Sequence, residues 1–150
     1  MIYKNQYIKI LATLFILCIN LLFSTQVQLI TAHKKSNGVL LRIVTNSIVD
    51  IENIAGWKGQ ENWFYLTLNG SYLSPKVLED LSFELPLLDV EITENNQSVQ
   101  IGYLFNTPIE DFEIFHSSAS RVLLVQVWES LSDSLKSEVK QSEGTNVNRV

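Results

Sequence analysis

The sequence predicts an all-β fold: a sandwich of two similar small antiparallel sheets from an internal duplication, preceded by a signal peptide. Apolar and polar residues alternate over short runs, hairpin-like links join these runs, and the apolar pattern of the first half recurs sixty positions later. Period-two alternation is typical of strands with one buried face. Recurrence at a fixed offset indicates that one unit is used twice. Two such units can bury their apolar faces against each other.

The predicted copies span residues 27–68 and 87–127, within a domain over residues 27–128. The shift of sixty positions matches apolar with apolar residues at six positions of the first hairpin of each copy. The matched pairs are Val27 with Leu87, Ile30 with Val90, Ala32 with Ile92, Val39 with Val99, Leu41 with Ile101 and Ile43 with Tyr103. Each copy then has a break at an asparagine, an apolar and acidic stretch, and a closing apolar strand.

Alternation also predicts which residues face the core. Leu41 and Ile43 share one face of a strand in the first copy. Ile101 and Tyr103 are their counterparts in the second copy, and Gln100 is expected on the opposite, exposed face.

One short helix is predicted between the copies. Ser74 suits the N-cap and Pro75 suits the first helical turn. Val77, Leu78 and Leu81 are expected to face inward.

Residues 1–26 are predicted to be a signal peptide or a membrane anchor. Lys4 and Lys9 precede an uncharged, mostly apolar run over residues 10–23, and a polar stretch follows it, which is typical of an export signal. The run is shorter than the roughly 20 apolar residues that cross a bilayer. Cleavage near residues 24–26 is therefore expected, with a retained anchor as the alternative. The expected location is the periplasm or cell envelope, with membrane contact only through this segment.

Composition argues against several classes of function. Cys18, the only cysteine, lies in the export segment, so a processed chain has no thiol for disulfides or metal ligation. Loss of Lys4 and Lys9 leaves nine basic against sixteen acidic residues, a net charge of −7. Nucleic acid is excluded as a partner on this basis, because its phosphates need a basic footprint.

No catalytic constellation is present in the sequence. His33 and His116 are the two histidines, and nucleophile-elbow, phosphate-loop and paired-histidine motifs are absent. The acidic groups at 50–52 and 110–113 occupy similar places in the two copies, which favours a repeated solvent face over a cation site. We expect no enzymatic activity, no cofactor and no metal.

Trp57 and Lys58 are the leading candidates for ligand binding. Trp57 lies between Gly56 and Gly59, which predicts an exposed loop, and Lys58 adds a positive charge. Tryptophan has an apolar face and a polar edge, which suits sugar rings, partner surfaces or a core.

Two further sets of residues are open to more than one interpretation. Trp63 and Tyr65 alternate with apolar residues, so one face of their strand is core, and the other is either covered or open for contact. Arg42 and Arg121 are candidates for recognising peptide carboxylates, because guanidinium binds them bidentately. The alternative for both arginines is a solvated strand face.

The second copy carries a resemblance to a known family. Residues 98–105, the break Asn106-Thr107-Pro108 and the strand at 121–127 resemble the AMIN domain, the amidase N-terminal module. The resemblance covers residues 27–128 and implies an exported β-sandwich that binds peptidoglycan, as modules of amidases and secretin-type pore proteins do. The chain departs from the family pattern at residues 125–126, where an Asp is usual, and at Asn62, which replaces the strand-leading Arg.

The sequence therefore predicts an exported, non-catalytic binding module of the cell envelope, with peptidoglycan as its leading ligand. The alternative is a protein-interaction module of an envelope secretion or assembly machine, without glycan affinity. Residues 129–150 contain few apolar side chains and are expected to form a disordered tail.

Overall fold

The computed structural model describes residues 6–13 and 24–130. Residues 6–13 are helical, and residues 24–130 are mostly β-structure in two sheets, which confirms the predicted all-β class. No helix within the described residues is long and apolar enough to cross a membrane. Most of the predicted signal or anchor, including Cys18, lies outside the described residues, as does the predicted tail from residue 131 onward. Glu129, assigned to that tail, instead ends the last strand.

Sheet A has five strands in the order β5-β1-β2-β9-β8, and only β5 and β1 are parallel. Its strands are β1 (Thr25–Lys35), β2 (Gly38–Thr45), β5 (Ser71–Leu73), β8 (Ile109–Phe115) and β9 (Val122–Glu129). Sheet B has four antiparallel strands in the order β3-β4-β7-β6. These are β3 (Ile54–Lys58), β4 (Trp63–Asn69), β6 (Leu87–Asn95) and β7 (Ser98–Phe105). A 3-10 turn, Ile51–Asn53, precedes β3, and helix α1, Pro75–Glu79, follows β5.

The inner faces of the two sheets share one apolar core. Leu41, Ile43, Ile101 and Tyr103 are all fully buried in it, as predicted. Gln100 is half-buried rather than exposed, because β7 is a central strand whose outward residues have neighbours on both sides.

Each sheet combines one hairpin from each half of the chain. The β1–β2 hairpin pairs with the β8–β9 hairpin in sheet A, and the β6–β7 hairpin pairs with the β3–β4 hairpin in sheet B. The two hairpins of each sheet meet at a junction, β2 with β9 in sheet A and β4 with β7 in sheet B. The two junctions have corresponding registers: Leu41 lies opposite Val125, and Ile101 lies opposite Leu66. Ile101 follows Leu41 by 60 residues, and Val125 follows Leu66 by 59 residues.

Backbone hydrogen bonds at the junctions repeat with the same offsets. The Thr45 N–H donates to the Arg121 carbonyl at 2.9 Å, and the Phe105 N–H donates to the Asn62 carbonyl at 3.1 Å. Positions on one sheet can therefore be compared directly with positions on the other.

The segment between the halves closes part of the core. Ser74 precedes α1 but its side chain makes no capping hydrogen bond. Val77 is buried and Leu81, just past the helix, packs against the core, as predicted. The prediction for Leu78 was wrong, because this side chain is 60% exposed. Adjacent helical residues point about 100° apart, so a five-residue helix that buries Val77 turns Leu78 outward.

Candidate functional site

Trp57 lies in a strand and not in the predicted loop. It belongs to β3, an edge strand of sheet B, and lies opposite Tyr65 of β4. The flanking glycines favour a loop locally, but pairing with β4 extends over the whole of β3 and outweighs that preference. Trp57 is 40% exposed, as the sequence predicted.

Trp57, Tyr65 and Trp63 form a row of near-parallel rings on the outer face of sheet B, here called the aromatic stack. The Trp57 and Tyr65 ring centroids are 5.5 Å apart with planes at 23°, and those of Trp63 and Tyr65 are 5.7 Å apart at 12°. The intervening Phe64 and Leu66 are fully buried. This resolves the two interpretations of β4: Trp63 and Tyr65 point outward. Such centroid distances between near-parallel rings correspond to offset stacking, which leaves part of each ring face uncovered.

Two glycines make room for the aromatic stack. A Cβ atom on Gly102 would lie 2.9 Å from Tyr65 Cε1 and 3.1 Å from Trp63 Cζ3. A Cβ atom on Gly59 would lie 2.6 Å from Tyr65 Cε2. The rings therefore contact bare backbone, and side chains at these glycines would displace them.

Two carboxylates, Asp89 and Glu91, lie on the same face of sheet B and are called the acidic edge. Glu91 of β6 lies opposite Gly102 of β7, which in turn lies opposite Tyr65. Asp89 occupies the neighbouring row, which leads to Trp63. Both carboxylates are exposed, and Asp89 Oδ1 accepts a hydrogen bond from the Val90 N–H at 2.8 Å.

Lys58 does not flank the Trp57 ring, contrary to the expectation from sequence. Successive strand residues point to opposite faces, so the two side chains diverge. Lys58 Nζ donates to the Glu110 carbonyl at 2.8 Å and so connects β3 of sheet B with β8 of sheet A.

Arg42 and Arg121 lie away from the aromatic stack. Arg42 is on the outer face of sheet A, and no hydrogen bond or ion pair joins it to another described residue. Arg121 is exposed just before β9, where its Nη1 donates to the Asn46 carbonyl at 3.4 Å. The four predicted binding residues are therefore not brought together: Trp57 and Lys58 point to different faces of β3, and Arg42 and Arg121 lie at separate places on sheet A.

The outer face of sheet A differs in chemistry from that of sheet B. The row Phe115, Leu124, Arg42 of sheet A corresponds to the row Trp57, Tyr65, Gly102 of sheet B. Val44 and Val122 extend the apolar character of this face, here called the aliphatic face. With Arg42 in place of Gly102, this row lacks the bare backbone on which the stacked rings lie.

Each of the two histidines contacts a neighbouring backbone or side-chain oxygen. His116 Nε2 donates to the Val49 carbonyl at 2.6 Å and so connects the loops that follow β8 and β2. His33 is exposed and lies 3.3 Å from the Thr31 hydroxyl. Within residues 6–13 and 24–130, no three His, Cys, Asp or Glu side chains are grouped so as to hold a metal ion.

A polar cleft of about 360 Å³ lies at one rim of the two sheets. Thr25, Asn46, Ser47, Asp50, Asn53 and Asn69 contribute its polar lining. Several of these groups bond one another: the Thr25 and Ser47 hydroxyls are 2.9 Å apart, and Asn46 Oδ1 accepts from the Gln26 N–H at 2.7 Å. These bonds tie the ends of β1 and β2 together.

Comparison of this chain with protein families, curated proteins and solved structures found no match. The AMIN resemblance accordingly stays a prediction.

The sequence predicted Trp57 as a candidate and left Trp63 and Tyr65 open, but it did not place these rings and Gly102 beside Trp57. A usable signal was present in the repeat. Gln126 marks the outward phase of the closing strand in the second copy, and the offset of 59 places Gln126 on Thr67. Trp63 and Tyr65 share the phase of Thr67 and are therefore outward. The acidic edge had no such signal, because its proximity to the rings depends on the order of strands.

Proposed function

We propose that this chain is an exported, non-catalytic binding module of the cell envelope, duplicated internally on the plan of the AMIN domain, with peptidoglycan as its ligand. The recurrence of strand pairing and junction hydrogen bonds at offsets of 60 and 59 supports the duplication. Export and a periplasmic location rest on the basic and apolar start of the sequence.

The aromatic stack is the observation that carries the ligand assignment. Large aromatic side chains on a solvent-facing sheet contribute nothing to the core and expose apolar area, which is typical of a binding surface. The C–H faces of pyranose rings pack against aromatic faces, while sugar hydroxyls remain available for hydrogen bonds. Of the three adjacent rings, Trp57 is exposed and Tyr65 and Trp63 are half-buried, so a ligand on Trp57 would lie beside the other two.

Co-sedimentation with purified sacculi tests this function. We expect the wild-type protein to pellet with sacculi and Trp57→Ala to bind about tenfold more weakly, the change that a loss of ~1.4 kcal/mol produces. The thermal midpoint should stay nearly unchanged, because the ring lies outside the core. Phe115→Ala is the matched control, since Phe115 occupies the corresponding position on sheet A and is 46% exposed. Equal binding by all three proteins would show that the aromatic stack is not the site.

Gly102→Ala tests the same site without removing a ring. The added methyl group must displace Tyr65 and Trp63, because it would lie about 3 Å from both. Alanine is tolerated in a strand, so we expect a folded protein with weakened sacculus binding. Near-ultraviolet circular dichroism should change as well, because the relative orientation of the rings changes. Unchanged binding together with a changed spectrum would show that sacculus binding does not depend on the arrangement of the rings.

The aliphatic face favours a second candidate function, a protein-interaction module of an envelope assembly. Phe115 is exposed there next to Leu124, and Arg42 has no charged partner among the described residues. If this is the function, Phe115→Ala should abolish a defined cross-link to an envelope protein in intact cells. Trp57→Ala should leave that cross-link unchanged.

A further inference from the structure

The acidic edge beside the aromatic stack indicates which part of peptidoglycan is bound. We propose that this face binds the uncharged sugar backbone of a glycan and discriminates against anionic polymers and carboxylate-bearing stem peptides. This inference rests on the proposed function and deepens it by naming the chemical class that the site accepts.

The carboxylates of the acidic edge lie in line with the aromatic rings. Glu91, Gly102 and Tyr65 lie in one row across three neighbouring strands. Because Gly102 has no side chain, the Tyr65 and Trp63 rings lie against its backbone, and Glu91 occupies the next position of the row. A ligand that lies on the rings therefore passes directly to the acidic edge.

The side chains of the acidic edge offer hydrogen-bond acceptors and no donors when ionised. Ionised carboxylates only accept hydrogen bonds, and those that they accept are charge-assisted. Sugar hydroxyls and acetamido N–H groups supply the donors that carboxylates need. A ligand carboxylate or phosphate supplies no donor when ionised and is repelled by the charges of Asp89 and Glu91.

The strands of sheet B place no positive charge on the face that carries the aromatic stack. Lys58 is the one basic residue in the four strands of sheet B, and its ammonium group donates to the Glu110 carbonyl of sheet A. Arg42 lies on the opposite sheet, and Arg121 lies before β9 and donates to the Asn46 carbonyl. No cation of the sheet B strands therefore faces a ligand on the aromatic stack, whereas the carboxylates of Asp89 and Glu91 would repel an anionic one.

The test compares two soluble hexasaccharides of opposite character with the full-length protein in mild detergent. Tryptophan fluorescence and titration calorimetry would measure binding of the neutral N-acetylglucosamine hexamer and of the anionic galacturonate hexamer. We expect the wild-type protein to bind the neutral hexamer at least tenfold more tightly. In the variant Asp89→Asn/Glu91→Gln, this preference should fall at least tenfold.

Sheet A offers a closely matched control, Asp111→Asn/Glu113→Gln. These two residues have the same spacing as the acidic edge, face outward on β8 and undergo the same change in charge. Asp111 Oδ1 also accepts from the next backbone N–H, at 2.9 Å, as Asp89 Oδ1 does. We expect the control to keep the wild-type preference.

The outcomes separate this inference from the proposed function. Equal binding of both hexamers by the wild type, or an equal loss of preference in both double variants, would overturn the inference. Sacculus binding without binding of the neutral hexamer would also overturn it and leave the proposed function standing. Failure of the wild-type protein to bind sacculi would overturn the proposed function itself.

Discussion

At the scale of single residues, Tyr103 shows how a correctly predicted core position can still be energetically imperfect. Its side chain is fully buried, and its ring lies 6.4 Å from that of Phe64. Its hydroxyl group has no hydrogen-bond partner among the residues that the structure describes. Burial raises the pKa of the Tyr103 phenol well above its ordinary value, because the charged form is excluded from the apolar core.

Replacement of Tyr103 by Phe should remove this cost and change the pH dependence of stability. At neutral pH, Tyr103→Phe should be neutral or stabilising by up to ~1 kcal/mol, since it deletes an unpaired polar group. Above about pH 10, the unfolded tyrosine ionises but the folded one stays neutral, so the wild type should lose ~1.4 kcal/mol per pH unit from this group. Urea unfolding from pH 7 to 11 would measure both effects. A variant that lost stability above pH 10 as steeply as the wild type would contradict this assignment.

At the scale of elements, the sequence predicted best what local pattern decides. The β1–β2 and β6–β7 hairpins and the buried phase of β2 and β7 follow from turn chemistry and alternation within a few residues. By contrast, β3 was missed, because its Gly56 weakens the strand pattern and its pairing with β4 supplies the decisive contacts. The short strand β5 was missed for a related reason: it pairs with β1, more than forty residues away.

Helix α1 provides a test of phase between two adjacent residues. Val77 is 2% exposed and Leu78 is 60% exposed. Val77→Asp should destabilise the protein by roughly 3 kcal/mol or more, because it buries an unpaired polar group. Leu78→Asp should change stability by less than about 0.5 kcal/mol, as surface substitutions usually do. Urea unfolding of the two variants is the measurement. Similar losses for both would mean that α1 is rotated relative to the structure.

At the scale of the whole molecule, each sheet pairs one hairpin from each half of the chain. This exchange of hairpins between halves governs the cooperativity of folding. The sequence repeat predicted two related units, but it contained no information on which hairpin pairs with which. That choice depends on contacts between residues more than thirty positions apart, such as Leu41 with Val125 and Ile101 with Leu66. The same exchange places the acidic edge of the second half beside the aromatic stack of the first. The candidate binding face therefore exists only when both halves are folded together.

Division of the chain after Phe83 tests this interdependence. Fragment 1–83 contains hairpins β1–β2 and β3–β4, which belong to different sheets, and fragment 84–150 contains the other two hairpins. Each fragment alone would expose the edges of β2 and β4, or of β7 and β9, together with half of the core. We expect both fragments to be unfolded separately, since isolated two-stranded hairpins are marginal in water.

An equimolar mixture of the fragments should recover the β-sheet signal in far-ultraviolet circular dichroism and a cooperative thermal transition. The control is the full-length chain cleaved after Phe83 at an introduced protease site, which should stay associated and keep the same spectrum. Mixing should also restore sacculus binding if the proposed function holds, because the rings and the acidic edge come from different fragments. A cooperative transition in either fragment alone would contradict the exchange, because it requires a sheet completed within one half.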